Sequence, residues 1–324
     1  MHPPTSPLLR PLNRRTWCRW VAGCWAVGPS GVWSQASAPR ETVPVLYPEL
    51  GEPFRSVFAQ ILAGLDERLA GRVERHPVPP QVDPAPLAAE LGKRKPRVVV
   101  ALGRAALKTA LTLDCDVVGS GIISPAEGDS RTAALLSLAP DPQLLFQRLK
   151  LLAPGVRRVT VVFSNRSSGW LMPLAKDAAR ATGLELRTLE AEDLKTALRH
   201  YQDFFAQASA PDALWLPQDP GTVDEAAVLP LVIQESWNRN VPVFSSNLAH
   251  VRRGALFSLY PNNPELGRTL GTTTLAVLAR TGPTKGPQAL RDVHAALNTR
   301  TASHLGVDLS PQVQRTYDLL LPER

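Results

Sequence analysis

Cysteine is scarce in this chain of 324 residues, with three in all. Two of them, Cys18 and Cys24, fall within the first 38 residues, which leaves Cys115 alone in the remainder. A single thiol forms no internal disulfide and builds no thiolate metal site. It lies beside the apolar run Asp116-Val117-Val118, as expected of a quiet, partly buried side chain. The later histidines, His76, His200, His250, His294 and His304, are scattered without the spacing that metal ligation needs. No metal and no cofactor is therefore expected. Catalytic signatures are missing too, with neither a phosphate-cradling G-x-x-x-x-G-K-[ST] loop nor a G-x-S-x-G elbow. Gly119-Ser120-Gly121 opens like a dinucleotide fingerprint, but Ser124 stands at the third glycine position and Pro125 follows, so the stretch reads as a turn. No catalytic residue is nominated, and the chain is not expected to be an enzyme.

Acids are absent from residues 1–38, which carry Arg10, Arg14, Arg15 and Arg19. The whole chain holds 36 basic and 29 acidic residues, a net charge of +7; without those four arginines 32 basic residues remain and the net charge falls to +3. So mild a balance gives no reason to expect a nucleic-acid partner. A basic stretch ending at Arg19, a short apolar stretch from Trp20 to Trp33 and the small residues Ser34 to Ala38 follow one another in the order of an export signal. The apolar stretch is too short, and too interrupted by Gly28-Pro29, to span a bilayer. Residues 1–38 are thus expected to be a signal peptide, and the protein to be periplasmic. An alternative takes Val21-Ala22-Gly23-Cys24 as a lipobox with Cys24 as the anchored residue, although Arg19 leaves little hydrophobic run ahead of it. Arg14-Arg15 is a weak match to a twin-arginine signal.

What the chain does have, from residue 43 onward, is strand and helix in alternation. Val98 to Leu102 is a continuous apolar run of the kind found in a parallel strand covered on both faces. Phe54, Val57, Phe58, Ile61, Leu62, Leu65 and Leu69 recur at helical spacing. Further strands fit 117–119, 134–138, 159–163, 184–189, 213–216, 242–245 and 255–259, with helices between them. This pattern specifies an α/β fold. Its strands are too many for one ordinary sheet, so two Rossmann-like lobes with parallel sheets are expected. Ala153-Pro154-Gly155 looks like the seam, with further crossings near Tyr260 and Thr284. The first lobe would comprise 41–155 with 261–284, and the second 156–260 with 285–324.

Open parallel sheets bind ligands beyond the carboxyl ends of their strands, and here those ends are polar. They carry Tyr47, then Gly103-Arg104, then Asn165, Ser167 and Ser168, then Gln218 and Asp219, then Ser246, and finally Tyr260. Each also has a structural reading. Ser167 and Ser168 can cap a helix, Asp219-Pro220-Gly221 can be a turn, Tyr260 can be a packed aromatic, and Arg104 can pair with an acid. The coincidence of so many polar ends favours a shared cleft, where helix starts would attract an anion such as a carboxylate.

The segment from Val241 to Pro287 continues this argument, with its strand into Ser245-Ser246-Asn247, its Gly254-Ala255 strand, its turn at Pro261-Asn262-Asn263 and its Leu266-Gly267 helix. Together with "ALNTRTASHLGVDL" at 296–309, "ALGRAALKTA" at 101–110 and "VVFSNRSSGW" at 161–170, it resembles the substrate-binding proteins of ABC transporters, in the group of tryptophan-type binders. The resemblance runs from about 43 to 320 and implies a type I periplasmic-binding fold, hinged around a ligand cleft. It also implies capture of a small solute, such as an amino acid or related carboxylate, by a monomer that delivers it to a membrane permease. A periplasmic sensor subunit of the same fold is the alternative. Arg104, where relatives carry a small hydroxyl residue, and "GSGIISPAEGDS", where they carry Asp-Pro, are departures in the first lobe.

Overall fold

A computed structural model describes residues 41–79, 83–126, 128–282 and 286–323. The expected export signal lies outside the described residues. In chain order the first stretch holds β1 (Val43–Pro48), α1 (Phe54–Leu69), β2 (Val73–Val78), α2 (Ala85–Arg94), β3 (Val98–Leu102), α3 (Arg104–Ala110), β4 (Asp116–Ile122) and β5 (Ala134–Pro140). Next come α4 (Pro142–Leu152), β6 (Arg158–Phe163), α5 (Asn165–Ser168), α6 (Met172–Thr182), β7 (Glu185–Glu190) and α7 (Leu194–Gln207). They are followed by β8 (Asp212–Leu216), α8 (Val228–Arg239), β9 (Val243–Ser245), α9 (Leu248–Arg253) and β10 (Phe257–Pro261). Then come α10 (Asn263–Leu278), β11 (Pro287–Leu290), β12 (Val293–Asn298), α11 (Thr299–His304), α12 (Pro311–Gln314) and β13 (Leu319–Leu321).

These strands form two sheets, in the orders β11-β5-β4-β3-β1-β2 and β13-β12-β10-β9-β8-β6-β7. Every pairing in the first is parallel. In the second, β10 and β12 run antiparallel and the other pairings are parallel. The continuous apolar run of β3 has the explanation its sequence suggests. Val98, Val100 and Leu102 join a core under α1 and α10, while Val99 and Ala101 join another under α2 and α3. Because successive side chains point to opposite faces, a strand covered on both faces must be apolar throughout.

Helices α1 and α10 approach each other through glycine. A Cβ on Gly267 would lie 2.1 Å from the Ile61 carbonyl oxygen, and one on Gly64 would lie 2.1 Å from that of Pro264. The Leu-Gly pair that opens α10 in the sequence is therefore a packing device, with Leu266 fully buried beside the contact.

Expected lobe boundaries need correction at two of the three crossings. Helix α4 packs on the second sheet, not the first: Phe146 meets Trp215 edge-on at 5.7 Å and Phe244 at 6.2 Å. Strand β11 pairs with β5, so residues 287–290 belong to the first sheet. The crossings fall at Pro140-Asp141, at Pro261-Asn262 and between Leu290 and Val293. Ala153-Pro154-Gly155 is only the loop that ends α4. The three crossings touch one another. Asp141 N–H donates to Leu290 O at 2.8 Å, Asn262 N–H donates to Asp292 O at 2.9 Å, and the Arg291 guanidinium pairs with the Asp141 carboxylate.

Candidate functional site

The carboxyl ends of β8 and β6 are joined by Asp219, which is buried. Its carboxylate accepts from the Ser164 N–H at 2.7 Å, the Ser164 hydroxyl at 2.9 Å and the Gly221 N–H at 3.0 Å. Ser164 in turn caps α5 by accepting from the Ser167 N–H at 3.3 Å. Ser168, also buried, donates its N–H to Ser164 O at 2.9 Å. Asn165 is exposed and its side chain lies over Gly169, where a Cβ would be 2.0 Å from Oδ1. Asp219 and Ser164 thus set the geometry of this corner, and the free acceptor expected of Asp219 is engaged within the second lobe.

From the first lobe, the loop after β4 reaches across. The Ser124 hydroxyl donates to the Ser167 carbonyl at 2.6 Å. Arg104, at the start of α3, organises this loop: Nη1 donates to Asp129 Oδ2 at 2.6 Å and Nη2 to the Ser124 carbonyl at 2.5 Å. The same Asp129 oxygen accepts from the Ala126 N–H at 2.7 Å, and Asp129 is buried. Of the readings open for Arg104, the structure displays pairing with an acid. Gly103, at φ 82°, donates its N–H to Ser120 O at 2.7 Å. A Cβ on Gly121 would lie 2.7 Å from that same nitrogen, so the ends of β3 and β4 need glycine at both places.

Three other nominated residues are engaged in internal contacts. Ser246 turns its hydroxyl inward, accepting from the Trp215 indole N–H at 3.1 Å. Tyr260 packs beside Val251, with its ring 5.5 Å from that of His294. It stands next to the second crossing, and burial raises its pKa. Tyr47 packs against the first-lobe core. Cys115 is a half-buried thiol, pushed up to about 11 by burial and by Asp116 and Asp114 beside it.

A cavity of about 390 Å³ opens at these strand ends. Its walls are the β8–α8 connection from Pro217 to Glu225 and the β9–α9 turn with Asn247 and His250; Ile123 of the first lobe closes one side. Gln218 and Asp219 are the nominated residues that line it. Gln218 Oε1 is buried with no hydrogen-bond partner. His250 is 3% exposed, and its Nδ1 lies 2.8 Å from the Ser245 hydroxyl. Burial lowers its pKa, and the charge of Glu225 works in the opposite direction. Ile123 and His250 were not singled out from the sequence, and Asn247 entered only as part of the Ser245-Ser246-Asn247 strand end. The end of β9 was, but the residues that reach the cavity lie one and four positions beyond Ser246.

Among the described residues no group of three or more His, Cys, Asp or Glu is placed to hold a metal ion, and no helix is long and apolar enough to cross a membrane.

Residues 111–318 match the model of the ABC transporter substrate binding protein family. The chain belongs to that family. Its fold is that of solved type I periplasmic-binding proteins. An ABC domain from Streptococcus pneumonia in complex with L-Trp is 18% identical, with a TM-score of 0.53, over 87% of this chain and 99% of its own. A ligand-free, open substrate-binding protein with adhesive properties from Clostridium difficile is 15% identical, with a TM-score of 0.62, over 86% and 98%. A periplasmic ribose ABC transporter protein from Conexibacter woesei is 16% identical, with a TM-score of 0.50, over 85% and 97%. No curated protein sequence matches this substrate-binding protein.

Proposed function

We propose that this chain is a periplasmic, non-enzymatic solute receptor that takes a small polar solute between its lobes, as a monomer, and delivers it to an ABC permease. The observation that carries the reading is Gln218, which lines a cavity walled by both lobes and whose Oε1 is a buried acceptor without a partner. A buried polar atom left unpaired is costly, and a ligand donor would remove that cost. The cavity also stands where open parallel sheets place their ligands, and its volume fits a small molecule.

Binding without catalysis is supported by the Ser245–His250 contact. Ser245 is fully buried, and its hydroxyl donates to Leu216 O at 3.1 Å and accepts from the Asn247 N–H at 3.0 Å. A hydroxyl so engaged is a structural group, not an exposed nucleophile. The L-Trp held by the Streptococcus pneumonia protein supports a solute of amino-acid size.

Native mass spectrometry of the purified mature protein tests the reading, followed by calorimetry with whatever co-purifies. Gln218→Ala and Ile123→Asp are each expected to weaken that ligand by about tenfold or more. Binding indifferent to both substitutions would place the site elsewhere. N-terminal sequencing after expression in a Gram-negative host tests export; an intact Met1 would refute it.

A further inference from the structure

The lining of the cavity also bears on the charge of the solute, an inference that rests on the reading above. Helix starts were the sequence's reason to expect an anion, but those of α5, α8 and α9 are occupied in the structure. Ser164 caps α5. Asp224 accepts from the N–H groups of Ala226 at 2.9 Å and Ala227 at 2.6 Å, ahead of α8. Asn247 Oδ1 accepts from the Ala249 N–H at 3.0 Å, at the start of α9. A capped helix start offers few free N–H groups to an anion, and a carboxylate at that place offsets the dipole.

Cations are also lacking. Among the described residues neither lysine nor arginine lines the cavity. Arg104 is held by Asp129 and the Ser124 carbonyl. Of the arginines that end α9, Arg253 lines a separate groove with Trp237, and Arg252 acts on Tyr260.

The carboxylates in the walls are Asp219, Asp224 and Glu225. Gln218 Oε1 is buried and unpaired. The carboxylate of Asp219 is internally bonded, which leaves Glu225 as the exposed acid nearest His250. Ser245 Oγ lies within hydrogen-bond distance of both Leu216 O and His250 Nδ1, and with its hydrogen on Leu216 O it accepts from a His250 Nδ1–H. That tautomer leaves His250 Nε2 as an acceptor, with no partner among the described residues. One unpaired buried acceptor, Gln218 Oε1, and an exposed carboxylate, Glu225, in a lining without lysine or arginine among the described residues call for a donor that carries positive charge.

We propose that the cavity selects solutes that present a protonated amine, with the nitrogen donating to Gln218 and His250 while Glu225 supplies the countercharge. Anions of the same size are disfavoured, because the wall carboxylates of Asp219, Asp224 and Glu225 repel them and no lysine or arginine among the described residues offsets that charge.

Calorimetry with three solutes of one length separates the charge from the site: 1,4-diaminobutane, 1,4-butanediol and succinate. The diamine is expected to bind about ten- to a hundredfold more tightly than the diol, with succinate undetected. Glu225→Gln should remove most of that advantage without changing unfolding, because Glu225 is exposed. Succinate binding as tightly as the diamine, a diamine affinity unaltered by Glu225→Gln, or no diamine binding at millimolar concentration would each overturn the proposal. An anion whose binding is lost in Gln218→Ala would leave the site standing and refute only its charge preference. Solute binding indifferent to Gln218→Ala and Ile123→Asp would refute the site itself.

Discussion

Asp219 accepts from both the backbone N–H and the hydroxyl of Ser164, and so fastens the end of β8 to the end of β6. The two residues are 55 positions apart, and the bond fixes the corner from which α5 and the cavity wall both start. Asp219→Ala would leave the buried donors of Ser164 without their acceptor. A loss of about 2–3 kcal/mol in unfolding free energy is expected, measured by urea denaturation. Unchanged stability with abolished solute binding would instead make Asp219 a ligand group.

Ser124 makes the hydrogen bond that links the two lobes at the cleft, through its hydroxyl to the Ser167 carbonyl. Ser124→Ala removes about 0.5–1.5 kcal/mol from the contact between the lobes. Small-angle scattering should then report a larger unliganded radius of gyration, and apparent affinity should fall a few-fold as closure becomes less favourable. Identical scattering and affinity would show that Ile123 and its neighbours hold the lobes without it.

The contact between α1 and α10 has no room for a methyl group. Gly267→Ala would set a carbon against the Ile61 carbonyl, and rigid backbone on both sides prevents easy relief. Overpacking of this kind typically costs about 1–3 kcal/mol. Thermal unfolding of Gly267→Ala against an exposed control, Gly51→Ala, which has nothing within 4 Å of the added atom, is the measurement.

His250 makes stability depend on pH. Burial lowers its pKa below the ordinary value, about 6.5. The unfolded chain therefore binds more protons than the folded one as pH drops through that range. The contribution is fully present above the unfolded value and is lost as pH falls toward the folded value. Denaturation between pH 7 and pH 5 should show a decline that flattens in His250→Gln. A parallel decline in the variant would assign the slope to other groups.

Strands covered on both faces were legible, because β3 must be apolar at every position. The Leu266-Gly267 pair of α10 was legible as a pattern, though its reason, the Ile61 carbonyl, belongs to another helix. Strand β2 was missed because it lies at the edge of its sheet, where Glu74, Arg75 and His76 replace an apolar run. The first crossing was misplaced because Pro154-Gly155 and Pro140-Asp141-Pro142 carry equal turn signals; only the packing of Phe146 separates them. The strand ends were rightly identified as polar. Which of their side chains remain free was not legible, since Asp219 is engaged by Ser164 and Arg104 by Asp129 across long sequence separations. His250 had no local signal beyond its place one turn past a strand.

Three crossings leave each lobe assembled from two separate stretches of chain, 41–140 with 262–290 and 141–261 with 291–323. Three passages mean that no single cut releases either lobe whole. A fragment ending at Pro140 would lack α10, and with it Leu266, Leu270 and the partner surface of Gly64. The lobes must therefore be completed together during folding, and neither can be exchanged between relatives as one contiguous cassette. Shuffling of solute preference in such a chain has to proceed through the loops at the strand ends, where the cavity walls lie outside all of the buried apolar clusters except for Leu216's neighbour Val223.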